Sequence, residues 1–336
     1  MKIIIPMAGM GKRMRPHTLS VPKPLIPIAG KPIVHRLVED IARVCQSQVD
    51  EVAFIIKEAF GKKVEEELLA IAAQVGAKGT IHYQEEALGT AHAVMCAASA
   101  LEGPVVVAFA DTLFKADFVL DTSQESIIWV QKVEDPRPFG VVKLDAEGYI
   151  NEFVEKPQHF VSDLAIIGIY YFKDGAYLKS ELQYLLDHDI KDKGEYQLTN
   201  ALENMKNKGT KFVAGQVSEW LDCGNKDATV YTNQRYLEFI KEQNLVSSQA
   251  RIKDTVIIPP VFIAEGVVLE QCVIGPHVSI GKNTEIRQSI LRNSIVQEGS
   301  SLQKVHCENS MIGNFVSLEG EAQDLSLGDY NSLKLS

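Results

Sequence analysis

Short apolar runs alternate with amphipathic stretches over the first part of the chain. Residues 2–7 read as a buried strand and 33–45 as a helix. The alternation continues with strand 51–57, helix 62–73, strand 80–84, helix 90–100 and strand 104–111. Strand and helix in turn predict an α/β fold, a Rossmann-like and mainly parallel sheet flanked by helices, with ligands at the carboxyl ends of the strands. Further strands are expected at 126–133, 139–144, 149–155 and 164–172, and helices at 175–187, 196–207 and 226–243.

Residues 244–254 are polar and read as a linker, after which the period changes. Aliphatic residues recur six apart at Ile263 and Leu269, at Ile274, Ile280 and Ile286, at Ile290, Val296 and Leu302, and at Ile312 and Leu318. The register slips between Leu269 and Ile274 and between Leu302 and Ile312, so the coils are expected to be imperfect or interrupted. A hexapeptide period predicts a short parallel β-helix of about three coils, each burying its apolar side against its neighbours. Two domains follow, 1–245 and 255–330, which suits a length of 336 residues.

Composition narrows the function. The chain is 46% hydrophobic and 23% charged, enough to form a core and stay in solution, and no run approaches the roughly 20 apolar residues of a membrane span. Residues 2–7 already read as a core strand, so Met1 is not expected to open a signal peptide, and a cytoplasmic protein without membrane partners is expected. The five cysteines are far apart and never spaced as C-x-x-C, and the eight histidines show no ligand spacing, which disfavours structural zinc and a disulfide framework. The net charge of −10 argues against nucleic acid as the main partner.

Against that acidic total, the first 38 residues hold seven cations (Lys2, Lys12, Arg13, Arg15, Lys23, Lys31 and Arg36) and no acid, which predicts a local anion site. The turn Ala8-Gly9-Met10-Gly11 follows the first strand. Small residues let backbone N–H groups approach a phosphate, and Arg13 can clamp its oxygens through a planar fork. In Val21-Pro22-Lys23-Pro24-Leu25, two prolines restrict the backbone around one lysine. The turn matches neither the Walker P-loop nor the dinucleotide glycine pattern.

Taken together, AGMGKRMRPHT and PKPL resemble the signature of the sugar-1-phosphate nucleotidylyltransferases, or NDP-sugar pyrophosphorylases. Ala8 and Lys12 stand where that family usually has glycine and threonine. The resemblance implies that Ala8, Gly9, Gly11, Arg13 and Lys23 bind a nucleoside triphosphate, and it supplies the left-handed form of the β-helix. It implies that Gln84, Gly89 and Thr90, in QEEALGTAHAV, read the base; Thr90 alone would read as a helix cap. It further implies a Mg²⁺ held by Asp111, in FAD, and Asp222, in WLDCGNK. Gly140, in PRPFGVV, Glu155 and Lys156, in EKP, Gly168, in LAIIGIY, and Glu195, in GEYQLTN, would bind the sugar phosphate. Arg13, Lys23 and Lys156 would carry the catalytic charge.

The implied reaction joins an NTP to a sugar 1-phosphate, giving an NDP-sugar and pyrophosphate. The wording of the motifs favours glucose 1-phosphate with UTP or dTTP, because Gln84 offers an amide suited to a pyrimidine edge. A mannose-1-phosphate guanylyltransferase is the alternative within the class; a non-catalytic nucleotide-sugar-binding subunit is the alternative outside it, although Arg13, Lys23, Asp111, Lys156 and Asp222 are all present. An acyltransferase reading of the repeats would leave the first 245 residues unexplained. The repeat domain, with His277 and His306, is read instead as serving assembly or allosteric contact, and a homo-oligomer is expected, with the β-helix as a candidate route to it.

Overall fold

The computed structural model describes residues 1–115 and 117–320. The chain divides into two compact units, Met1–Thr232 and Asn233–Ser336. Residues 321–330, included in the expected repeat domain, lie outside the described residues.

The first unit is built on a nine-stranded mixed sheet. The apolar runs near the N-terminus form its parallel half, in the order Val105–Ala108, Lys2–Pro6, Glu51–Ile56, Lys78–Tyr83. Ile3, Ile4, Ile5, Phe54 and Val107 are wholly buried because helices cover both faces, as the continuous apolar pattern requires. Across Val105–Ala108 the sheet turns antiparallel through Leu164–Phe172, which also pairs with Ser126–Lys132 and touches the hairpin Gly140–Leu144 and Ile150–Glu155. Phe212–Gln216 completes the sheet beside Ser126–Lys132.

Several boundaries differ from those expected. The strand expected at 104–111 ends at Ala108, and Thr112–Phe114 leaves the sheet to pair with Trp220–Asp222 in a separate antiparallel ribbon. The helix expected at 90–100 is α-helical only over Thr90–Met95. Beyond it the chain tightens to three-residue hydrogen bonds (Ala97 N to Val94 O, Ala100 N to Ala97 O), which preserves the burial of Ala97, Ala100 and Leu101 and hence the apolar period. The helix expected from 196 begins at Leu198. Tyr196 is occupied elsewhere, donating its N–H to Leu88 O and accepting from Ala91 N.

The second unit is a three-sided parallel β-helix of the left-handed hexapeptide type. Its stacked rows pair Leu269 with Ile286, Leu302 and Leu318, Ile274 with Leu291 and Cys307, and Ile263 with Ile280, Val296 and Ile312. Successive coils advance by 17 and then 16 residues rather than 18. The register slips are therefore regular shortenings, not interruptions. Corners are made by residues in the left-handed region, including Gly266, Asn283 and Gly299 along one edge and Asn293 and Asn309 along another, the residue types that enter it at least cost.

Three expectations need correction here. The segment read as a linker contains Arg251–Lys253, the first strand of the helix, and Val246 already bridges to Ile263. Among the described residues four coils are present where about three were expected, because the first opens on a polar-looking strand. Ile290 points outward, 47% exposed, and its neighbour Leu291 is the inward residue at 0%.

Candidate active site

At the carboxyl ends of the parallel strands lies a cleft of about 540 Å³. It gathers Ala8, Gly9, Gly11, Arg13, Lys23, Gln84, Gly89, Thr90, Asp111 and Glu195, residues drawn from five separate segments of the first unit.

The turn after Lys2–Pro6 forms one wall. Gly11 is left-handed, with φ 56°, and a Cβ there would sit 2.9 Å from the Lys23 Cβ and 3.1 Å from Thr18 Cγ2. Thr18 Oγ1 donates to Gly11 O at 2.8 Å. The glycine turn thus lies directly on the Pro-Lys-Pro segment, which buries Lys23 and directs its Nζ to Asp111 Oδ2 at 3.1 Å.

The seven cations of the head do not act together. Lys12, Arg13 and Lys23 line the cleft. Lys2 lies 3.7 Å from Glu51 and 3.8 Å from Glu102, Lys31 is paired with Glu39 at 2.6 Å, and buried Arg36 donates to the carbonyls of Ile28 and Ala29. The anion site is narrower than the run of charge because Glu51 and Glu102, distant in sequence, fold onto Lys2 and the nearby Glu39 takes Lys31.

The opposite wall is the segment from Gln84 to Ala93. Gly89 has φ 114°, and a Cβ on it would fall 2.4 Å from Tyr196 O, so only glycine fits. Thr90 does not cap its own helix. Its Oγ1 accepts from Leu198 N at 2.8 Å and donates to Gln197 Oε1 at 3.2 Å, while Gln197 Nε2 donates to Glu195 Oε2 at 3.0 Å. This relay fixes Glu195 at the cleft edge, in the turn before Leu198–Asn207.

Asp222 does not itself line the cleft, but its carboxylate lies against Gly224, which does: a Cβ on Gly224 would sit 2.8 Å from Asp222 Oδ2. The ribbon brings Asp222 opposite Thr112, and Cys223 N donates to Asp111 O at 3.0 Å. Burial raises the Asp222 carboxyl above its ordinary value; Lys23 pulls it down, the charge of Asp111 pushes it up, and Arg13 pulls it down again. Lys23 thus pairs directly with Asp111, and Asp222 feels the charges of both. Among the described residues no group of three or more His, Cys, Asp or Glu is placed to hold a metal ion.

Gly140, Glu155, Lys156 and Gly168 do not line the cleft. Gly140 and Glu155 are opposite each other in the hairpin, and a Cβ on Gly140 would sit 3.0 Å from Glu155 Oε2. Thr199 Oγ1 donates to that oxygen at 3.4 Å, and Lys156 Nζ lies 3.6 Å from Glu155 Oε1. Lys156 has φ 44° and leaves the strand immediately after Glu155, its carbonyl accepting from Lys193 Nζ. Gly168 faces Phe109, which does line the cleft. Burial drives the phenol of Tyr170 far above the ordinary range, and the charges of Glu155 and Asp111 push it the same way.

Several residues of this architecture stand inside the motifs AGMGKRMRPHT, FAD, GEYQLTN and QEEALGTAHAV without having been assigned a role. Thr18, Phe109, Tyr196 and Gln197 act by contacts across the fold, and His92 has its Nδ1 3.1 Å from Gln84 Nε2.

The profile of the nucleotidyl transferase family matches residues 2–238, and the chain belongs to that family. It is 28% identical over the full length of both chains to the low-salt glycan biosynthesis nucleotidyltransferase Agl11 of Haloferax volcanii. It is 27% identical to the glucose-1-phosphate thymidylyltransferase of Streptomyces antibioticus, covering 100% of this chain and 99% of the relative. Among solved structures, UDP-glucose pyrophosphorylase complexed with UDP-glucose aligns over 71% of this chain and 98% of its own with a TM-score of 0.58 at 22% identity, a likeness of fold.

Proposed function

We propose that this nucleotidyl transferase joins a nucleoside triphosphate, UTP or dTTP, to glucose 1-phosphate, releasing pyrophosphate and an NDP-glucose. The observation that carries this reading is the convergence of a glycine turn, Arg13, Lys23, Asp111 and an amide, Gln84, in one cleft at the strand ends. Relatives named glucose-1-phosphate thymidylyltransferase, matching over nearly their whole length, support the choice of sugar and base.

The attacking oxygen of a sugar 1-phosphate is already anionic, so the site needs no general base. Catalysis consists of alignment and charge neutralisation for an in-line displacement at the α-phosphorus. Backbone N–H groups of Ala8 to Gly11 cradle the triphosphate. Arg13 holds the departing pyrophosphate, and Lys23, buried and pre-aimed, draws the α-phosphate and the incoming phosphate together. Gln84 and Gly89 take the base, with Thr90 beside them. Lys156 binds the sugar phosphate, and Gly140, Glu155, Gly168 and Glu195 accommodate the sugar.

Asp111 and Asp222 suit a hard divalent cation. Both are oxygen donors, the charge of Asp111 raises the cost of ionising Asp222, and phosphate oxygens and water can fill the remaining positions. Mg²⁺ bound there would neutralise charge developing on the phosphates.

Among the described residues no helix is long and apolar enough to cross a membrane, and a cytoplasmic location fits phosphorylated substrates. The β-helix serves self-association. Its outward row pairs Val256 with Val273 and Ile290, with Val256 57% and Ile290 47% exposed, an apolar ladder that a second copy can cover.

The test is pyrophosphate release across a matrix of four NTPs and several sugar 1-phosphates. Turnover with UTP or dTTP and glucose 1-phosphate is expected. Exclusive use of GTP with mannose 1-phosphate would replace this reading with the guanylyltransferase one, and no turnover with any pair would favour a nucleotide-sugar-binding subunit.

A further inference from the structure

Gln84 is 92% buried yet reaches the cleft, and what it offers a base depends on which end of its amide faces inward. The two ends are opposite in character: Oε1 only accepts and Nε2 only donates. Two contacts decide the matter. One amide atom lies 3.3 Å from Gly89 O, and a peptide carbonyl can only accept, so that atom is Nε2. The same Nε2 lies 3.1 Å from His92 Nδ1, which must then accept and carry no proton. A flipped amide would set two oxygens against each other at Gly89.

His92 does not line the cleft, sits on Thr90–Met95 behind Gln84, and has Cys96 Sγ at 4.0 Å from the same nitrogen. Burial lowers its pKa, in keeping with a neutral ring.

We propose that His92 is a positioning residue for base selection: its unprotonated Nδ1, together with Gly89 O, holds the Gln84 amide so that Oε1 is presented to the base. A lone acceptor at that point suits the N3–H of uracil or thymine and opposes the bare N3 of cytosine. The inference rests on the reading of Gln84 as the base-contacting residue.

The experiment compares kcat/KM for UTP and for CTP, each with glucose 1-phosphate, in the full-length protein and in His92→Ala, His92→Asn and Gln84→Ala. The expected result is that His92→Ala lowers the UTP-to-CTP ratio about tenfold, mainly through KM for UTP, by freeing the amide to rotate. His92→Asn, whose Oδ1 can occupy the place of Nδ1 as an acceptor, restores the ratio. A ratio unchanged in His92→Ala but collapsed in Gln84→Ala overturns the positioning role and keeps Gln84 as the reader. A ratio unchanged in both overturns the base-reading assignment as well. If His92→Ala does not fold, nitrogen-15 NMR of the wild-type ring decides: a proton on Nδ1 sinks the proposal, and a proton on Nε2 alone supports it.

Discussion

The two units are held together on different principles. In the β-helix each inward side chain has equivalents one coil above and below: Ile274, Leu291 and Cys307 form one such row. In the cleft nothing repeats, and Gly11, Lys23, Gln84, Gly89 and Asp111 each occur once, from segments far apart in sequence. Stability in the first case is a sum of like terms between neighbours. Chemistry in the second depends on single groups, so damage there should appear in rate before it appears in folding.

The sharpest way to break this contrast is to exchange the effects. Leu291→Ala removes a wholly buried side chain between two coils and should cost about 2–5 kcal/mol in the unfolding free energy of its unit, read by denaturant titration. A loss under about 0.5 kcal/mol would mean that the coils do not depend on their interior contacts as the stacking implies.

Next in size, Lys23→Ala should lower turnover by about 10²–10³-fold, the typical effect of deleting one preorganised charge contact. Its partner Asp111 has a side chain 45% exposed and is left partly solvated, so folding should suffer less than in Leu291→Ala. Wild-type pyrophosphate exchange in Lys23→Ala would remove the lysine from the mechanism.

The contrast also governs what could be read from the chain alone. Continuous apolar runs marked the parallel strands Lys2–Pro6, Glu51–Ile56 and Val105–Ala108, because burial on both faces leaves no other pattern, whereas the edge strand Lys78–Tyr83 is only partly buried and mixed in sequence. The hexapeptide period marked the β-helix, yet it misassigned Ile290 as inward. A coil shortened by one or two residues moves the interior position to Leu291, and two adjacent aliphatics cannot be distinguished by period. The first coil was hidden because Arg251–Lys253 is exposed throughout. In the cleft, motifs located residues that bear charge or small size. They spanned the supports, such as Thr18 on Gly11 and Gln197 between Thr90 and Glu195, without giving them a role, because a hydroxyl or amide shows its part only when the fold supplies its partner.

The smallest effect tests the division within the basic head, where composition treats seven cations alike. Lys31 is spent on Glu39 rather than on the cleft, so Lys31→Ala should leave turnover within about twofold of wild type and cost about 0.2–1 kcal/mol in stability, as expected of a partly exposed pair. The pH dependence has a definite sign. Burial tends to raise the Glu39 carboxyl, but the hydrogen bond and charge of Lys31, with help from His35 and Arg36, bring it below its ordinary 4.5. A depressed carboxylate stabilises the fold above its unfolded pKa and loses that contribution as pH falls through the folded value. The stability gap between wild type and Lys31→Ala should therefore be fully present at neutral pH and close in acid below 4.5. A Lys31→Ala protein that kept its stability but lost turnover as Lys23→Ala does would place Lys31 with the phosphate ligands, and the head would have to be treated as a single anion site.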